Sequence, residues 1–319
     1  MQAIINTTLT APLRMPRQSS VLDRALEAFE IGEIAGPMSS LFTELQQIRQ
    51  EEPLSWKEFA RDCRNHPVCD LLHQDPFTFR AYDKPRGYAG DAVMMDYIYG
   101  LGEARAAESS ATPLGREIFG FLGQCASSKG VRYRRRLLAR LIDGASQRGP
   151  ASVLAIAAGH LREAELSASL QTGNVREFIA LDQDEASLAL VANEYGHLGV
   201  KAVPGSVRQI LAGKLQLGQF DFVYAAGLFD YLSAPVAAAL TRRMFEMTRP
   251  GGQVLIPNFL TGVPDTGYME SFMDWYLIYR SKIDMMSLAA AVPQNELAEC
   301  RIFDDQFGAI TYLLLTKAL

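Results

Sequence analysis

The sequence is poor in cysteine and has no long hydrophobic run. Its 319 residues include 4 cysteines, scattered along the chain at Cys63, Cys69, Cys125 and Cys300, a pattern that argues against a disulfide framework. No apolar stretch reaches the about 18 residues that a transmembrane helix needs. The N-terminus lacks the charged-then-apolar order of a secretory signal. We therefore expect a cytoplasmic protein with reduced thiols and no membrane association.

Basic residues do not form a run long enough to follow a phosphate backbone. The 31 Lys and Arg are interspersed among 36 Asp and Glu, for a formal net charge of −5. This balance argues against a nucleic-acid substrate. Hydrophobic residues make up 48% of the chain, enough to bury a large core. A small-molecule substrate is the expected partner, and the sequence leaves a monomer and a homodimer both open.

One group of potential metal ligands combines cysteine and histidine. Cys63, His66, Cys69 and His73 are spaced by three, three and four residues, which could place several donors on one helical face. Pro67 interrupts that helix, however, and the spacing matches no common zinc module. We predict a packed segment and no metal site.

Three parts of the chain differ in the spacing of their apolar residues. Residues 1–20 show no periodicity and are predicted to be a flexible arm. Residues 21–149 carry apolar side chains at helical spacing and are predicted to form a helical cap or lid. Within this part, the run from Arg134 to Arg136 is interpreted as a solvated helix face rather than an anion site. Residues 150–319 form the third part.

The third part alternates short apolar runs with helical segments, which is typical of parallel strands joined by crossover helices. The predicted strands are 152–158, 177–181, 200–203, 220–226 and 253–259. A final pair, 300–303 and 310–315, is too closely spaced for a crossover helix and must form a hairpin. We predict an α/β fold: a Rossmann-like sheet of five parallel-type strands plus a C-terminal hairpin, with an N-terminal helical cap.

The first predicted strand enters a turn of small residues, in the segment Val153-Leu-Ala-Ile-Ala-Ala-Gly-His-Leu-Arg-Glu163. Small side chains let the backbone approach a ligand closely. Ala157 and Ala158 stand where two more glycines would make the motif specific. On its own, the segment is equally compatible with an ordinary strand, turn and helix.

Asp182 follows about twenty residues later, at the tip of the second predicted strand. A carboxylate at this position can accept hydrogen bonds from both hydroxyl groups of a ribose. Asp182 could instead cap the next helix, or do both.

Three further segments complete a pattern. Pro204-Gly-Ser-Val207 follows the third strand, the fourth strand ends in small residues at Ala226-Gly227, and Arg249-Pro-Gly-Gly252 leads into the fifth. In this order and spacing, the chain resembles the class I S-adenosylmethionine-dependent methyltransferase superfamily. The resemblance implies S-adenosylmethionine (SAM) as cofactor or sole substrate.

A narrower resemblance rests on three segments: 75–78 with 84–91, 226–232 and 274–280. Over about residues 60–317 they look like the bacterial extracellular-factor (3-hydroxypalmitic acid methyl ester) synthases. That branch is similar to the azetidine-2-carboxylate synthases of natural-product pathways, which cyclise SAM itself.

The resemblance also implies roles for individual residues. Gly159 and Glu163 would contact the methionine end of SAM, Asp182 its ribose, Ser206 and Val207 its adenine, and Ala226 and Gly227 its sulfonium, with Arg86 and Tyr88 closing over it. In the segment 84–91, Gly87 and Gly90 bracket Tyr88, which predicts a lid.

Three activities remain open. The α-amine of SAM could attack its own γ-carbon, giving azetidine-2-carboxylate and methylthioadenosine. An external carboxylate, of the 3-hydroxy fatty acid type, or an amine could instead take the methyl group. A protein that binds SAM without turnover is the third hypothesis.

The cyclase hypothesis predicts a folded methionine tail and no channel wide enough for a fatty acyl chain. The tail would be enclosed by Met94, Tyr97, Trp275, Tyr276 and Tyr279, with Asn258 or Glu163 holding its polar groups. The candidate catalytic residues are thus Tyr97, Asn258, Tyr276 and Tyr279.

Overall fold

The computed structural model describes residues 16–319. Residues 1–15 of the predicted arm lie outside the described part, and residues 16–20 begin the first helix. Helices come before the first strand, as predicted for the cap: α1 (Pro16–Glu30), α2 (Ala35–Glu51), α3 (Trp56–Arg64), α4 (Val68–Leu72), α5 (Pro76–Asp83), α6 (Ala92–Tyr99), α7 (Ala104–Ser110), α8 (Pro113–Gly123) and α9 (Ala126–Ala145).

The remainder of the chain forms a sheet in the order β3-β2-β1-β4-β5-β7-β6. Its strands are β1 (Ala151–Ile156), β2 (Val175–Asp182), β3 (Val200–Pro204), β4 (Phe220–Tyr224), β5 (Thr248–Phe259), β6 (Leu297–Asp304) and β7 (Ile310–Lys317). The first five strands pair in parallel, whereas β7 pairs antiparallel with both β5 and β6. This sheet confirms the predicted class I methyltransferase fold, including the terminal hairpin.

Both faces of the sheet are covered by helices. The helices after β1 are α10 (Ala168–Gln171), α11 (Glu185–Tyr195), α12 (Val207–Leu211), α13 (Ala234–Glu246), α14 (Thr266–Phe272) and α15 (Lys282–Ala289). On one face, α12, α13 and α15 pack on side chains such as Leu154 and Val254. On the other, Val153 and Phe222 share one hydrophobic cluster with α9, α11 and the N-terminal helices. The helical part and the sheet therefore share a core.

Helix α14 belongs to the C-terminal half in sequence but packs among the N-terminal helices. A β-carbon on Gly267 would lie 2.8 Å from the backbone of Gln46 in α2, so only glycine permits this close approach. Glu270 accepts hydrogen bonds from Arg49 at 2.9 Å and from the Trp56 indole at 2.6 Å. These contacts fix α14 against α2 and α3.

The cysteine and histidine group is packed between helices. His66 Nε2 lies 3.1 Å from Asp23 Oδ1, and His73 Nε2 lies 2.9 Å from the carbonyl oxygen of Phe272. Burial raises the pKa of the Cys63 thiol to about 12. Within residues 16–319, no three His, Cys, Asp or Glu side chains are grouped so that they could hold a metal ion.

None of the helices in the described part of the chain is both long enough and apolar enough to cross a membrane.

Candidate functional site

A cavity of about 500 Å³ lies between the sheet and the helical part. One wall is made by the segments that follow four parallel strands: residues 156–163, 181–183, 205–207 and 226–232 apart from Phe229. Strand order reverses between β1 and β4, and open parallel sheets bind ligands in the crevice at such a point. The size lies within the range of small-molecule sites.

The turn after β1 holds non-glycine residues in the left-handed region. Ala157 has φ 52° and Leu161 φ 51°, alongside Gly159 at φ 54°. An L-residue in this conformation costs about 1–2 kcal/mol. The side chain of Asp182 helps to hold the turn, because its Oδ2 accepts a hydrogen bond from the Gly159 amide at 2.7 Å.

Asp182 lies at the end of β2 and lines the cavity. Its Oδ1 accepts from the Asp184 amide at 2.9 Å, so each oxygen keeps a lone pair for a further donor. The residue that caps α11 is Asp184, which accepts from the Ala186 amide. The alternative role of Asp182 as a helix cap is therefore excluded, because the helix begins two residues too late.

Glu163 and Arg134 bring opposite charges to the same cavity. Glu163 is 5% exposed, and its Oε1 accepts from the Tyr224 hydroxyl at 2.5 Å. Burial raises the pKa of the Glu163 carboxyl, and the hydrogen bond from Tyr224 opposes that rise. Arg134 is 3% exposed and reaches the cavity from α9.

The segments after β3 and β4 bring backbone and small side chains to the wall. Ser206 caps α12 in a reciprocal capping box with Gln209, and Val207 begins that helix. A β-carbon on Gly205 would lie 2.9 Å from Leu215. Gly227 faces Arg134, whose Nη2 would lie 3.6 Å from a β-carbon at that position.

The segment 84–91 crosses the cavity mouth. Tyr88 is 41% exposed and lines the cavity, with its ring edge-on to Tyr231 at 6.4 Å between centroids. Gly90 packs on Tyr231 and Trp275, and a β-carbon there would clash with both. Arg86 does not line the cavity. Its guanidinium instead donates to Asp184 at 2.7 Å, so it anchors the segment to the loop after β2.

The rest of the wall comes mainly from the helices and is mostly apolar, although Asp265, Ser127 and Ser128 also belong to it. It includes side chains of α2, α5, α6, α8, α9 and α14: Phe42, Phe77, Ile98, Leu122, Val131, Tyr268 and Met269. The Tyr268 hydroxyl is satisfied by Thr78 Oγ1 at 2.9 Å. Most of the polar groups of the cavity therefore lie at the strand ends, and its helical part is largely apolar.

Eight residues assigned to the cofactor lie together on the wall of this cavity. They are Tyr88, Gly159, Glu163, Asp182, Ser206, Val207, Ala226 and Gly227. Arg86 is the ninth assigned residue and, as described above, lies beside the cavity rather than on its wall.

The four candidate catalytic residues lie away from the cavity wall, which corrects that assignment. Met95 faces the cavity, and Tyr97 is two residues further along α6, about 200° around the helix. The Tyr97 ring instead meets the Arg80 guanidinium 5.7 Å from its centroid. Trp275 and Leu277 face inward from an extended segment, so Tyr276 between them faces outward and is 37% exposed.

Asn258 and Tyr279 have structural surroundings. Phe259 faces the cavity, and alternation along β5 turns Asn258 away from it. The Asn258 amide donates to the carbonyl oxygen of Ile278 at 2.9 Å, and its Oδ1 accepts from Arg280 at 2.5 Å. The Tyr279 ring packs under the Arg49 guanidinium, 5.5 Å from its centroid.

The sequence-based site omits four charged residues of the wall: Arg134, Arg162, Asp230 and Asp265. Arg134 was interpreted as solvated, but only Arg136 of that run is exposed. The signal was the helical spacing of Arg134 from the buried Val131 and Leu138. Asp230 is 2% exposed, accepts from the Phe259 amide at 2.7 Å, and burial raises its pKa to about 6.

No protein-family model and no curated protein sequence matches the chain. Solved structures match it in fold. A possible exported protein from Bordetella parapertussis aligns with a TM-score of 0.52 and 12% identity, covering 95% of this chain and 96% of that one. A magnesium protoporphyrin IX methyltransferase from Synechocystis PCC 6803, solved with bound S-adenosylhomocysteine (SAH), aligns with a TM-score of 0.49 and 10% identity. The alignment covers 72% of this chain and 96% of that one.

A third structure is the SAM-dependent methyltransferase SibL in its apo form, with a TM-score of 0.47 and 13% identity, covering 92% of this chain and 77% of that one. At these identities the likeness concerns the fold alone. The strand order and the antiparallel β7 are those of the class I methyltransferase fold, and the cavity lies at the carboxyl ends of the parallel strands.

Proposed function

We propose that this protein is an enzyme that binds SAM at the strand ends and transfers its methyl group to a small apolar acceptor. The observation that carries the proposal is the two-sided cavity: one wall comes from the ends of β1 to β4 and the other from apolar side chains of the helices. A site for SAM alone would not need the second, apolar half.

The residues on the strand side fit SAM. Asp182 keeps lone pairs that two ribose hydroxyls can fill. Gly205 and Gly227 remove side-chain bulk where a flat ring and a sulfonium would approach. Glu163 and Arg134 offer one buried anion and one buried cation. This donor set suits a ligand with a sugar, a ring and charged groups.

Bound SAM would supply an electrophilic methyl group, so the protein's task is alignment and exclusion of water. Tyr88, Tyr231 and Trp275 enclose the mouth of the cavity with aromatic faces, which attract a cation. Asp230 lies on the same wall with a pKa near 6. As a carboxylate at neutral pH, it can take the proton from an acceptor hydroxyl or amine.

The apolar half is consistent with the acceptor that the narrower resemblance implies, a carboxylate of the 3-hydroxy fatty acid type. Phe42, Phe77 and Leu122 would contact its hydrocarbon part. A carboxylate acceptor is itself nucleophilic and needs no base, so the role of Asp230 depends on the acceptor.

Cyclisation of SAM to azetidine-2-carboxylate has less support. Of the five side chains expected to fold the methionine tail, Trp275 lines the cavity, whereas Met94, Tyr97, Tyr276 and Tyr279 do not. The apolar half also departs from the closed pocket that cyclisation would require.

The test is to identify the nucleoside product. Purified protein is incubated with SAM alone and with SAM plus 3-hydroxy fatty acids of different lengths, and the products are separated by liquid chromatography and mass spectrometry. We expect SAH to form only when an acceptor is added. If methylthioadenosine forms when no acceptor is added, the protein cyclises SAM and does not transfer its methyl group. Bound but unchanged SAM under all conditions would favour a binding protein. The Asp182→Ala variant serves as the control for binding at this site.

A further inference from the structure

Arg134 is a buried guanidinium whose hydrogen-bonding groups are only partly used by the described part of the chain. It is 3% exposed and lines the cavity. Its Nε has no hydrogen-bond partner among residues 16–319, its Nη2 meets the thioether sulfur of Met95 at 3.6 Å, and the guanidinium also interacts with the Tyr99 side chain through a hydrogen bond. Its charge favours the ionised forms of two buried carboxyls, Glu163 and Asp230. No ion pair within 4.0 Å joins it to a carboxylate in the described part of the chain.

This arrangement is costly unless a ligand completes it. Burying a charge without a partner is strongly unfavourable. A thioether sulfur is a weak acceptor, whereas a guanidinium carries five donors in a planar fork that matches a carboxylate. A ligand carboxylate entering the cavity would supply the missing acceptors.

Glu163 supplies the opposite charge on the same wall. It lies after the turn that follows β1, it is 5% exposed, and Arg134 contributes favourably to its ionised form. The two side chains do not form an ion pair with each other in the described structure. A separated buried cation and anion match the carboxylate and ammonium groups of an α-amino acid.

We propose that Arg134 and Glu163 form an amino-acid cradle for the methionine tail of the cofactor, with Arg134 holding its carboxylate and Glu163 its ammonium. This inference rests on the proposed function. It assigns the recognition of the tail to helix α9 as well as to the turn after β1. That turn has Ala157 and Ala158 in place of two glycines, so a second point of attachment is useful there.

The carboxylate could in principle come from an acceptor instead. Glu163 argues for the cofactor tail, because an acceptor acid at Arg134 would bring a second anion towards Glu163 without a cation to match it. Arg134 also lies beside Gly227, at the end of β4.

The test compares three nucleosides by isothermal titration calorimetry: SAH, its decarboxylated analogue, and 5′-methylthioadenosine, which lacks the whole amino-acid group. The variants are Arg134→Met and Glu163→Gln. Arg136→Met is the matched control, because it removes an exposed arginine from the same helix. Thermal unfolding establishes that each variant is folded.

We expect Arg134→Met to weaken SAH binding by about 10- to 100-fold, the range for charge-assisted hydrogen bonds. Binding of 5′-methylthioadenosine and of the decarboxylated analogue should change by less than about 3-fold. Glu163→Gln should weaken both SAH and the decarboxylated analogue, since both keep the amine. Arg136→Met should change none of them.

The wild-type protein tests the same idea without any variant, because it should bind SAH at least about 10-fold more tightly than the decarboxylated analogue. Equal affinity for the two, or an equal loss of all three ligands in Arg134→Met, would overturn the cradle while leaving nucleoside binding, and the proposed function, intact. Failure of the wild-type protein to bind any of the three would overturn the proposed function together with the cradle.

Discussion

Two buried arginines lie close to the same cavity and differ in how their charge is balanced. Arg162, in the short helical turn after β1, is 7% exposed and forms a forked pair with Asp96, from Nε and Nη2 at 2.8 Å each. It also donates to the Tyr195 hydroxyl at 3.2 Å. Arg134, 3% exposed, has a sulfur atom at 3.6 Å and an unpartnered Nε.

The difference distinguishes an arginine that stabilises the fold from one that can bind a ligand. Burial alone would lower the pKa of Arg162, but hydrogen bonds with Asp96 and Tyr195 raise it. The pair thereby fixes the turn after β1 to helix α6. Around Arg134 the protein offers no comparable set of acceptors. We infer that Arg162, whose hydrogen bonds are made within the protein, stabilises the fold. Arg134, whose hydrogen bonds are only partly made, is available to bind a ligand.

The largest expected effect is the loss of protein stability when Arg162 is replaced. Arg162→Met leaves Asp96 and Glu194 without their guanidinium, and removing one partner of a buried pair typically costs about 3–5 kcal/mol. Urea unfolding followed by circular dichroism measures the change. A loss below about 1 kcal/mol would mean that the pair is not a main support of the turn.

A smaller effect is expected on binding at Asp182, a carboxylate that is satisfied by the backbone and still faces the cavity. Asp182→Ala should weaken SAH binding by about 1–3 kcal/mol, because ribose hydroxyls lose their acceptor. Calorimetry gives the value. Glu185→Ala, at an exposed position just after the same strand, is the control and should bind SAH normally. Unchanged affinity in a folded Asp182→Ala would remove the ribose assignment.

Replacement of Arg134 by methionine, unlike that of Arg162, should leave the stability of the protein nearly unchanged. Arg134→Met removes a buried charge that forms no ion pair within 4.0 Å in the described part of the chain and keeps an apolar side chain in its place, so the free energy of unfolding should stay within about 1 kcal/mol of the wild type or rise. Urea unfolding of the two methionine variants side by side tests the contrast directly. A similar large loss in both would show that Arg134 is also structural.

The smallest effect concerns segment 84–91, whose first residues are held by two ion pairs. Arg86 pairs with Asp184, and Lys84 pairs with Asp274. Because these ties already hold the segment, we expect SAH to slow its amide hydrogen exchange only several-fold. Exchange measured by mass spectrometry with and without SAH provides the comparison. Identical rates would argue against a lid.

The strand half of this protein was predictable from its sequence to a greater degree than the helical half. Short apolar runs separated by crossover helices give the strands and the C-terminal hairpin, the resemblance to class I methyltransferases implies their arrangement, and Asp182 follows from its place at a strand end. Helix α6 shows why the helical half was harder to predict. Its residues Ala92–Met94 and Asp96–Ile98 are buried, so no polar face indicates which side meets the cavity, and Tyr97 was assigned to the wrong side.

The two walls of the cavity are encoded in different stretches of the chain. Most of the apolar wall comes from residues before 132, whereas the strand-end wall comes from residues after 155. Substitutions at Phe42, Phe77 or Leu122 would reshape the largely apolar wall while leaving Asp182 and Gly205 untouched. The two walls can therefore change independently, so that this architecture could accommodate different ligands against an unchanged set of strand-end groups.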